Sequence, residues 1–579
     1  MEQRIERVDN IPLIVHWLKK MKIHEIIDSV FIPHGNWKGL SYGKLAVVFL
    51  TYIMHSLCHR LSGVEPWVNE HKAVLETVTG WTINDKDATD DRIGIMIEAF
   101  GDDEKCREFQ LKHGQNTIQA FEMPTEFARY DTTSFNVYHK PGDSDKGILK
   151  LGHSKDRRPD LLQFKQGLGT LDPAGFPLYT ETIDGNKADD NCYVPAWRRI
   201  AETVGHKDFL YVTDCKGGAL GIRAAISKEG GTFLVPLAMT GEVPELLKNY
   251  VLNPPAAFDK IVLEPRTADA MKEGAEKRVA GEGFAVKREM VATLPDGKVH
   301  KWTEQQMISK SYAHAKRKIK GFEKRQAKAE GCLKKMRAKK DESVSDFQKR
   351  AERILKKYKV RDFIVLEVRE SIKRKRKYIG SGRPGPDRRY KMIKIRKVTL
   401  SFKHNDNATD QFKTIAGWRI FVTNALPERM SLNQSSEYYR DEYLVERGFH
   451  RLKKGNLPAL PLFLRIDERI KGLMLILTIA LQALTLLEFV IRRELADNLE
   501  TLAGLVPGNP KMKTHRPTAE RLLPQFKNLH MIVEDTETQT EGYLFEKLNS
   551  LQLKILSLLN IPEEIYDLSF SRLKFQDSS

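Results

Sequence analysis

The order of strand and helix signals between residues 125 and 214 constrains the fold more than any other feature of the sequence. The segment ARYDTTSFNVY alternates its side chains as a strand does. LLQFKQGLGTL and FPLYTETI are typical of two strands, since a Pro-containing turn from Asp172 to Gly175 separates them. VPAWRRIAETVG then predicts a helix, and the short apolar strand DFLYVTD ends in Asp214. This order predicts a mixed α/β domain.

The flanking regions predict helices. Residues 1–124 look mainly helical, and TDDRIGIMIEAFG opens with capping residues and closes at a glycine. The most apolar run, 473–491, is interrupted by Gln482 and Glu488. Its length is marginal for a span of ~20 residues, so we expect a buried core helix and no membrane insertion. Residues 493–579 are expected to form a helical C-terminal region.

Composition indicates the class of partner. Lys and Arg number 95 against 77 Asp and Glu, a net charge of +18, which favours a polyanion, either nucleic acid or an anionic membrane surface. The five cysteines include no C-x-x-C pair, which argues against a zinc module or a disulfide framework and fits a reducing cytosol. The charged N-terminus is unlike a signal peptide.

A basic segment lies between the α/β region and the apolar helix. MVATLPDGKVHKW predicts a hairpin, and residues 303–360 predict a long polar helical region. SIKRKRKYIGSGRPGPDRRYKMIKIRK carries the positive charge onward through a Gly/Pro loop. Such a run is either a solvated face or a phosphate-binding arm. AGWRIFVTNAL then predicts a strand, and EYYRDEYLVERGFHRLKKG predicts one helix.

Three acids stand out by position. Asp131 lies within a strand, Asp214 ends a strand, and Glu446 lies in a helix among cations. Each alone could be an edge-strand or capping acid, because a buried unpaired charge is costly. Together, three convergent carboxylates suit two divalent cations about 3.5–4 Å apart, the arrangement for in-line phosphoryl displacement. Oxygen ligands suit Mg²⁺, and no His/Cys cluster favours a softer metal.

Several stretches carry a family resemblance: YDTTSFNVY, GHSKDRRPDLLQFKQGL, GFPLYTETIDGNKADDN, WRIFVTNA and YLVERGFHRLKK. With these the sequence resembles the DDE transposases of bacterial and archaeal insertion sequences. The nearest relatives are long members of the cut-and-paste superfamily conventionally called "IS four", which carry a Y-S-K-D-x-R-P-D-L-type segment. The resemblance implies a ribonuclease H-like catalytic core within the α/β fold.

The resemblance also implies a division of the chain. Residues 1–124 would be a helical region that binds DNA ends. Residues 125–238 and 413–492 would be the two parts of the ribonuclease H-like core. Residues 239–412 would be a basic insertion containing a β-hairpin and long charged helices, and residues 493–579 the helical C-terminal region.

The family pattern implies roles for individual residues. Asp131, Asp214 and Glu446 match the catalytic, metal-ligating acids, which would hold two Mg²⁺ ions with Mn²⁺ able to substitute. The residues expected to bind DNA are Tyr439, Arg447, Arg451, Lys453, Lys155, Arg157 and Arg158. Glu442 stands where the family helix has Arg and is the alternative third acid, while DCKGG after Thr213 departs from the usual Asp-Arg-Gly. Spacing along one helix would place Tyr439, Glu442, Glu446, His450 and Lys453 on one face.

The implied function is transposition. The protein would bind the terminal inverted repeats of a double-stranded DNA element, cleave its ends by metal-dependent hydrolysis and join the 3′ ends to target DNA by transesterification. Bringing two ends together implies a homodimer in the synaptic complex. A cytoplasmic, nucleoid-associated prokaryotic protein is expected. Two alternatives stay open: a catalytically inactive, transposase-derived DNA-binding protein, and a structure-specific nuclease of the same fold.

Overall fold

The N-terminal region folds mainly as helices, in a computed structural model that describes residues 2–140, 147–263, 278–339, 342–383, 385–535, 539–544 and 546–573. After strand β1 (Glu2–Arg7) come α1 (Ile11–Lys20), α2 (Ile23–Val30), α3 (Tyr42–Ser56), α4 (Val64–Glu70), α5 (Lys72–Thr79), α6 (Asp90–Ala99) and α7 (Asp103–Phe121). The predicted helical character is confirmed. Thr89 caps α6 as expected, since its side chain accepts a hydrogen bond from the Arg92 amide.

The next segment forms strands and helices in the predicted order. Its elements are β2 (Phe127–Val137), β3 (Leu162–Leu171), β4 (Phe176–Asp184), α8 (Tyr193–Val204), β5 (Leu210–Thr213), α9 (Leu220–Lys228) and β6 (Thr232–Pro236). The turn between β3 and β4 ends at Gly175, whose φ of 66° is in the left-handed region that glycine adopts readily. The strands expected around Asp131 and before Asp214 are confirmed.

The basic segment contains more strand than the sequence suggests. Its elements are α10 (Val243–Leu252), β7 (Asp259–Leu263), β8 (Arg278–Thr293), β9 (Val299–Ser311), α11 (Tyr312–Lys335), α12 (Val344–Lys357), β10 (Ile364–Tyr378), β11 (Tyr390–His404) and α13 (Asp406–Ile415). The β8–β9 hairpin is confirmed. The helix predicted from residue 303 is wrong at its start, because β9 continues to Ser311. Glu304 is buried in this strand through its ion pair with Arg223, a partner that local sequence does not reveal.

The chain then returns to the central sheet. Strand β12 (Trp418–Thr423) precedes α14 (Leu432–Arg440), α15 (Tyr443–Lys453) and α16 (Asp467–Asp497). Helix α16 is long and apolar enough to cross a membrane, but its most apolar stretch is entirely buried within the protein. It packs against β4, α3 and α6, which confirms the predicted core helix.

The C-terminal region is not the purely helical tail that we expected. It contains α17 (Ala519–Leu522), β13 (His530–Asp535), β14 (Gln539–Leu544), α18 (Ser550–Leu558) and β15 (Phe570–Leu573). In the described part of the chain, β1, β13, β14 and β15 form a four-stranded antiparallel sheet. The partner of β13 is the N-terminal strand β1, more than 500 residues away in sequence, and local pattern cannot identify such a distant partner.

A large mixed sheet organises the molecule. Within the described residues, nine strands lie in the order β4-β3-β2-β5-β6-β12-β9-β8-β7. Strands β2, β5 and β6 run parallel to one another, and the other neighbouring pairs are antiparallel. The fold is therefore mixed α/β, as predicted. The hairpin of the basic segment extends the same sheet. The carboxyl end of β5 meets the middle of β2, since Thr213 pairs with Tyr130 while β2 continues to Val137.

Candidate active site

Asp131 and Asp214, the first two predicted acids, lie side by side where β5 ends against the middle of β2 in the central sheet. The parallel strands β2 and β5 pair Tyr130 with Thr213, and each acid is the next residue along the chain. The Tyr193 hydroxyl donates a 2.6 Å hydrogen bond to Asp214. Burial raises the pKa of Asp131, and the nearby charge of Asp214 raises it further. Two crowded carboxylates of this kind attract a cation.

Lys155 supplies a cation to this pair from within the protein. Its Nζ lies 3.3 Å from Asp131 Oδ1 and also donates to the Thr132 carbonyl oxygen. The ammonium group opposes the rise in the pKa of Asp131. The Lys155 side chain is 30% exposed, so it can leave Asp131 without breaking a buried core. Lys155 and an external cation therefore compete for Asp131.

Asp189 anchors the lysines around the acid pair. Its carboxylate is 1% exposed and lies 2.6 Å from Lys165 Nζ, 2.5 Å from Lys216 Nζ and 3.8 Å from Lys155 Nζ. Thr132 also donates a hydrogen bond to it. Burial alone would raise the pKa of Asp189, but the hydrogen bonds from Lys165, Lys216 and Thr132 hold it below the usual range. Asp189 is thus an ionised hub that fixes the positive charges.

The segment predicted as one helix, 437–455, is broken at Asp441 and Glu442. Helix α14 ends at Arg440 and α15 begins at Tyr443. Buried Arg129 explains the break, because its guanidinium donates a 2.6 Å hydrogen bond to the Tyr438 carbonyl oxygen. In an unbroken helix that oxygen would accept from the residue 442 amide. The predicted common face from Tyr439 to Lys453 is therefore wrong.

Glu442 faces the acid pair from the start of α15. Its side chain is 17% exposed and lies 3.5 Å from the guanidinium of Arg129. Burial raises the pKa of Glu442 to about 8, and the charges of Asp131, Asp214 and Glu446 add to the rise while Arg129 opposes it. The Glu442 carboxyl is thus close enough to the predicted acids to interact with them.

Glu446 lies in the first turn of α15 and is exposed. Its charge acts on Glu442. No group of three or more His, Cys, Asp or Glu side chains in the described residues is arranged to hold a metal ion. The oxygen donors of Asp131 and Asp214 are of the type that Mg²⁺ prefers. The structure therefore brings two of the three predicted ligands together and does not group Glu446 with them in the described residues.

Arg447 and Arg451 bind carboxylates of the protein. Arg447 forms hydrogen bonds of 2.8 and 2.6 Å with Glu488 on α16. Arg451 is 2% exposed and pairs with both Glu488 and Glu520, and Arg492 lies 3.0 Å from Glu488. This cluster holds α15 against the core. The burial of Arg451 shows that our prediction of a DNA contact there is wrong. Arg447 is also paired within the protein, with the same Glu488.

The other predicted DNA-binding cations lie in the loop that contains Lys155 or contact it. Lys453 Nζ is 2.9 Å from Asp156 and 5.5 Å from the centre of the Phe135 ring on β2. Asp156 belongs to the same loop as Lys155, in which Arg157 and Arg158 are exposed and Arg158 pairs with Asp160 at 2.7 Å. The loop and the end of α15 together make a basic border next to the acid pair.

Tyr439 lies between the acid pair and a basic cavity. Its ring packs against Phe421 at 4.7 Å. Burial raises the pKa of Tyr439 above its usual range, and the charges of Glu442 and Asp214 contribute to the rise. The cavity has a volume of about 540 Å³. Its basic lining residues are Arg278, Lys310, His314, Arg317, Arg419 and Arg440. Tyr439 is thus a wall residue of a cation-lined pocket.

Sequence reasoning missed Arg129, Asp189 and Tyr193. Arg129 carried the clearest signal, since a charged residue two positions before Asp131 within a strand needs a buried partner. That partner is Asp172, whose carboxylate lies 2.7 Å from the Arg129 guanidinium. Asp189 and Tyr193 gave no local signal, because their partners come from other parts of the chain.

The function is assigned from the side chains of the site and their geometry. Neither the comparison with protein-family models nor the comparison with curated proteins finds a match. The family resemblance therefore stays a prediction from the sequence. The geometry of the acid pair and its basic border does not depend on that resemblance.

Proposed function

We propose that this protein is a DNA transposase that cleaves the ends of its element and joins them to target DNA. The observation that carries the proposal is the adjacency of Asp131, within β2, and Asp214, just after the parallel strand β5. Lys155 lies 3.3 Å from Asp131, and Lys453 is held by Asp156 of the same loop as Lys155. Acids beside cations fit a substrate that brings phosphate and metal ions together. Neither a membrane surface nor a small apolar ligand requires that mixture.

The sheet supports a ribonuclease H-like core. The first acid is on β2, which lies between an antiparallel neighbour, β3, and a parallel neighbour, β5, and the second acid directly follows β5. This placement is compatible with residues 125–238 and 413–492 as the two parts of one catalytic core. The basic segment between them then lies beside the core through β8, β9 and β12.

Asp131 and Asp214 would hold the divalent cation, with Glu446 or Glu442 as a third ligand. Mg²⁺ or Mn²⁺, when bound, supplies Lewis acidity at the scissile phosphate and lowers the pKa of the attacking water. Tyr193 fixes the orientation of Asp214 through its hydrogen bond. With a cation held at Asp131, Lys155 would be free to leave that carboxylate and contact a phosphate oxygen.

The protein positions the DNA during two displacement reactions. In cleavage, water attacks phosphorus and the bond to the 3′ oxygen breaks, which leaves a 3′-hydroxyl on the element. In joining, that hydroxyl attacks phosphorus in the target and displaces a target 3′ oxygen. Lys155 and Lys453, at the border of the acid pair, stabilise the negative charge that develops on the phosphate in both steps. Pairing of two ends makes a homodimer the expected active assembly.

A catalytically inactive DNA-binding protein is the second candidate. Two features favour it. The Lys155 ammonium, 3.3 Å from Asp131, offsets the charge of that carboxylate, and the raised pKa of Glu442 favours its uncharged form, whereas a metal needs negative charge at the site. A nuclease of the same fold would differ in the joining step alone. Cleavage and joining must therefore be measured separately.

The test uses purified protein and supercoiled plasmid carrying the genomic sequences that flank the gene. We expect nicking with Mg²⁺ or Mn²⁺ and none with Ca²⁺ or EDTA. Asp131→Asn and Asp214→Asn should each reduce nicking by ~10³-fold or more, the scale for essential catalytic groups. Asp160→Asn, in the adjacent loop, is the matched control and should cleave normally.

Each result decides between the candidates. Glu446→Gln and Glu442→Gln identify the third acid by which of them loses cleavage. DNA binding without cleavage under any metal would favour the inactive protein, and cleavage without joining of a pre-nicked end would favour the nuclease. Full activity in EDTA, or in Asp131→Asn, would contradict the proposal.

A further inference from the structure

The hairpin of β10 and β11 is a long, isolated two-stranded ribbon. Its strands pair continuously from Ile364 opposite His404 to Tyr378 opposite Tyr390. At ~3.4 Å per residue, each 15-residue strand is about 50 Å long. In the described residues these two strands pair with each other and with no third strand. The part beyond the protein body, residues 371–397, is here called the distal ribbon.

The base of the hairpin packs against the protein, and Arg396 at the start of the distal ribbon donates a 2.8 Å hydrogen bond to the Glu342 carbonyl oxygen. A satellite core around Phe322, Phe347 and Leu355 joins α11 and α12, and Leu366 and Leu400 of the hairpin base pack against it. Residues 371–378 are all exposed. An isolated two-stranded hairpin is marginally stable in water. A long ribbon with an exposed outer part is therefore expected to gain stability from a partner.

The distal ribbon is strongly positive, and its cations lie on both of its faces. Between residues 371 and 398 the chain has twelve Lys and Arg and one acid, Asp387. In the antiparallel register Lys373 lies opposite Ile395 and Arg374 opposite Lys394. Because successive side chains point to opposite faces, both faces carry cations. A ribbon that packed on its own protein would instead have one apolar face.

Exposed apolar side chains lie among these cations. Ile372 is 60% exposed, Met392 49% and Ile395 41%. Near the tip Tyr378 and Tyr390 pack together at 6.1 Å. Charged contacts to phosphates do not need such groups, whereas contacts to base edges, such as the thymine methyl, do. The mixture indicates a partner that presents both phosphates and apolar edges.

We propose that the distal ribbon inserts into the major groove of duplex DNA, outside the acid pair. The major groove is about 12 Å wide and admits a two-stranded ribbon, whereas the minor groove is about 6 Å wide. Cations on both faces then meet the phosphates of both groove walls. The inference concerns the substrate of the proposed transposase. It rests on that function only for the identity of the DNA that is bound in the cell.

The first test compares two variants of the full-length protein that lose equal charge. The ribbon variant combines Lys373→Gln, Arg374→Gln, Lys375→Gln and Arg376→Gln. The matched control on the exposed face of α11 combines Lys316→Gln, Lys320→Gln, Lys324→Gln and Lys328→Gln. Affinity for a 30-base-pair duplex of arbitrary sequence is measured against salt concentration without divalent metal.

We expect the slope of log affinity against log salt to flatten by about 0.9 for each phosphate that the ribbon variant no longer neutralises, so by about 3.6 if all four cations bind phosphates. The α11 control should keep the wild-type slope. Equal slopes for the two variants would overturn the ribbon proposal and leave the proposed cleavage function untouched, because no metal and no cleavage enter the measurement. A wild-type protein that binds anionic vesicles but no duplex would overturn both.

A second measurement tests the groove. Dimethyl sulfate methylates guanine N7 in the major groove and adenine N3 in the minor groove. Bound wild-type protein and the α11 control should protect guanine N7 over a segment of the duplex, and the ribbon variant should lose that protection. Protection of adenine N3 alone would place the ribbon in the minor groove and contradict the proposal.

Discussion

Two basic regions of this protein look alike in sequence and differ in structure. Helix α15 carries Arg447 and Arg451, and the distal ribbon carries a run from Lys373 to Lys377. The arginines of α15 are bound to buried Glu488 on α16, whereas residues 373–377 are exposed. Acids contributed by other elements therefore decide whether a cation pairs within the protein or stays exposed to an external anion. A basic run binds an external anion only where the fold leaves it unopposed.

The largest expected effect is on the buried side of this comparison. Glu488→Gln removes the charge that holds Arg447, Arg451 and Arg492 together. Glu520 would then be the one remaining acid for Arg447 and Arg451, and Arg492 would lose its carboxylate partner. The free energy of unfolding should therefore fall by about 3 kcal/mol. Urea denaturation measures it. Glu468→Gln, exposed on the same helix, is the control and should change it by less than ~0.5 kcal/mol.

A second effect concerns Glu442, which lies between the two kinds of environment. Burial raises its pKa from 4.5 to about 8, so the proton favours the folded state. The stability that this group contributes is therefore present at low pH and is lost as the pH rises from about 4.5 to about 8. Relative to Glu442→Gln, the metal-free wild type should lose up to ~1.4 kcal/mol per pH unit in that window.

Urea denaturation of both proteins at pH 5, 6, 7 and 8 gives this difference directly. Parallel curves for wild type and Glu442→Gln would show that folding does not raise the pKa of Glu442. The variant cannot lose a proton at this position, so it corrects for all other titrating groups.

A third prediction separates a positioned cation from bulk charge. Lys453 is fixed beside Asp156 and Phe135, and Lys454 is exposed at the end of the same helix. Lys453→Ala should slow cleavage and joining by ~10-fold, the scale of ~1.4 kcal/mol in the transition state. Lys454→Ala should stay within about twofold. Equal small effects from both substitutions would mean that net charge alone matters at this border.

The smallest expected effect is on the stability of the exposed side. Neutralising Lys373, Arg374, Lys375 and Arg376 to Gln should change the free energy of unfolding by less than ~0.5 kcal/mol, because these side chains are exposed. The same substitutions are expected to weaken duplex binding. A large loss of stability would instead place these residues in a structural contact and remove the contrast with α15.

The parts of the fold that the sequence predicts well are those with strong local periodicity. The alternation around Asp131 and the apolar run of α16 each identify their element without reference to distant residues. The continuation of β9 to Ser311 and strand β13 are not predicted, since their stabilising partners, Arg223 and β1, are remote in sequence. The distal ribbon resembles a charged loop in sequence because exposed strands lack the hydrophobic alternation that marks a buried face.

The candidate site was predictable in its acids and less so in its surroundings. Asp131 and Asp214 stood out as acids in or after strands, and they lie together. The break before α15 depends on Arg129 reaching the Tyr438 carbonyl oxygen, a contact between residues more than 300 positions apart. Helical spacing assumes an unbroken helix and therefore could not give the positions of Glu442 and Glu446 relative to the pair.

Mn²⁺ binding in the absence of DNA, followed by electron paramagnetic resonance, tests directly whether Asp131 and Asp214 form a divalent-metal site. Wild-type protein should bind Mn²⁺, and Asp131→Asn and Asp214→Asn should bind at least ~10-fold more weakly. Lys155→Met, which removes the internal competitor 3.3 Å from Asp131, should bind ~10-fold more tightly, a change of ~1.4 kcal/mol. Equal Mn²⁺ affinity in all four proteins would contradict the account.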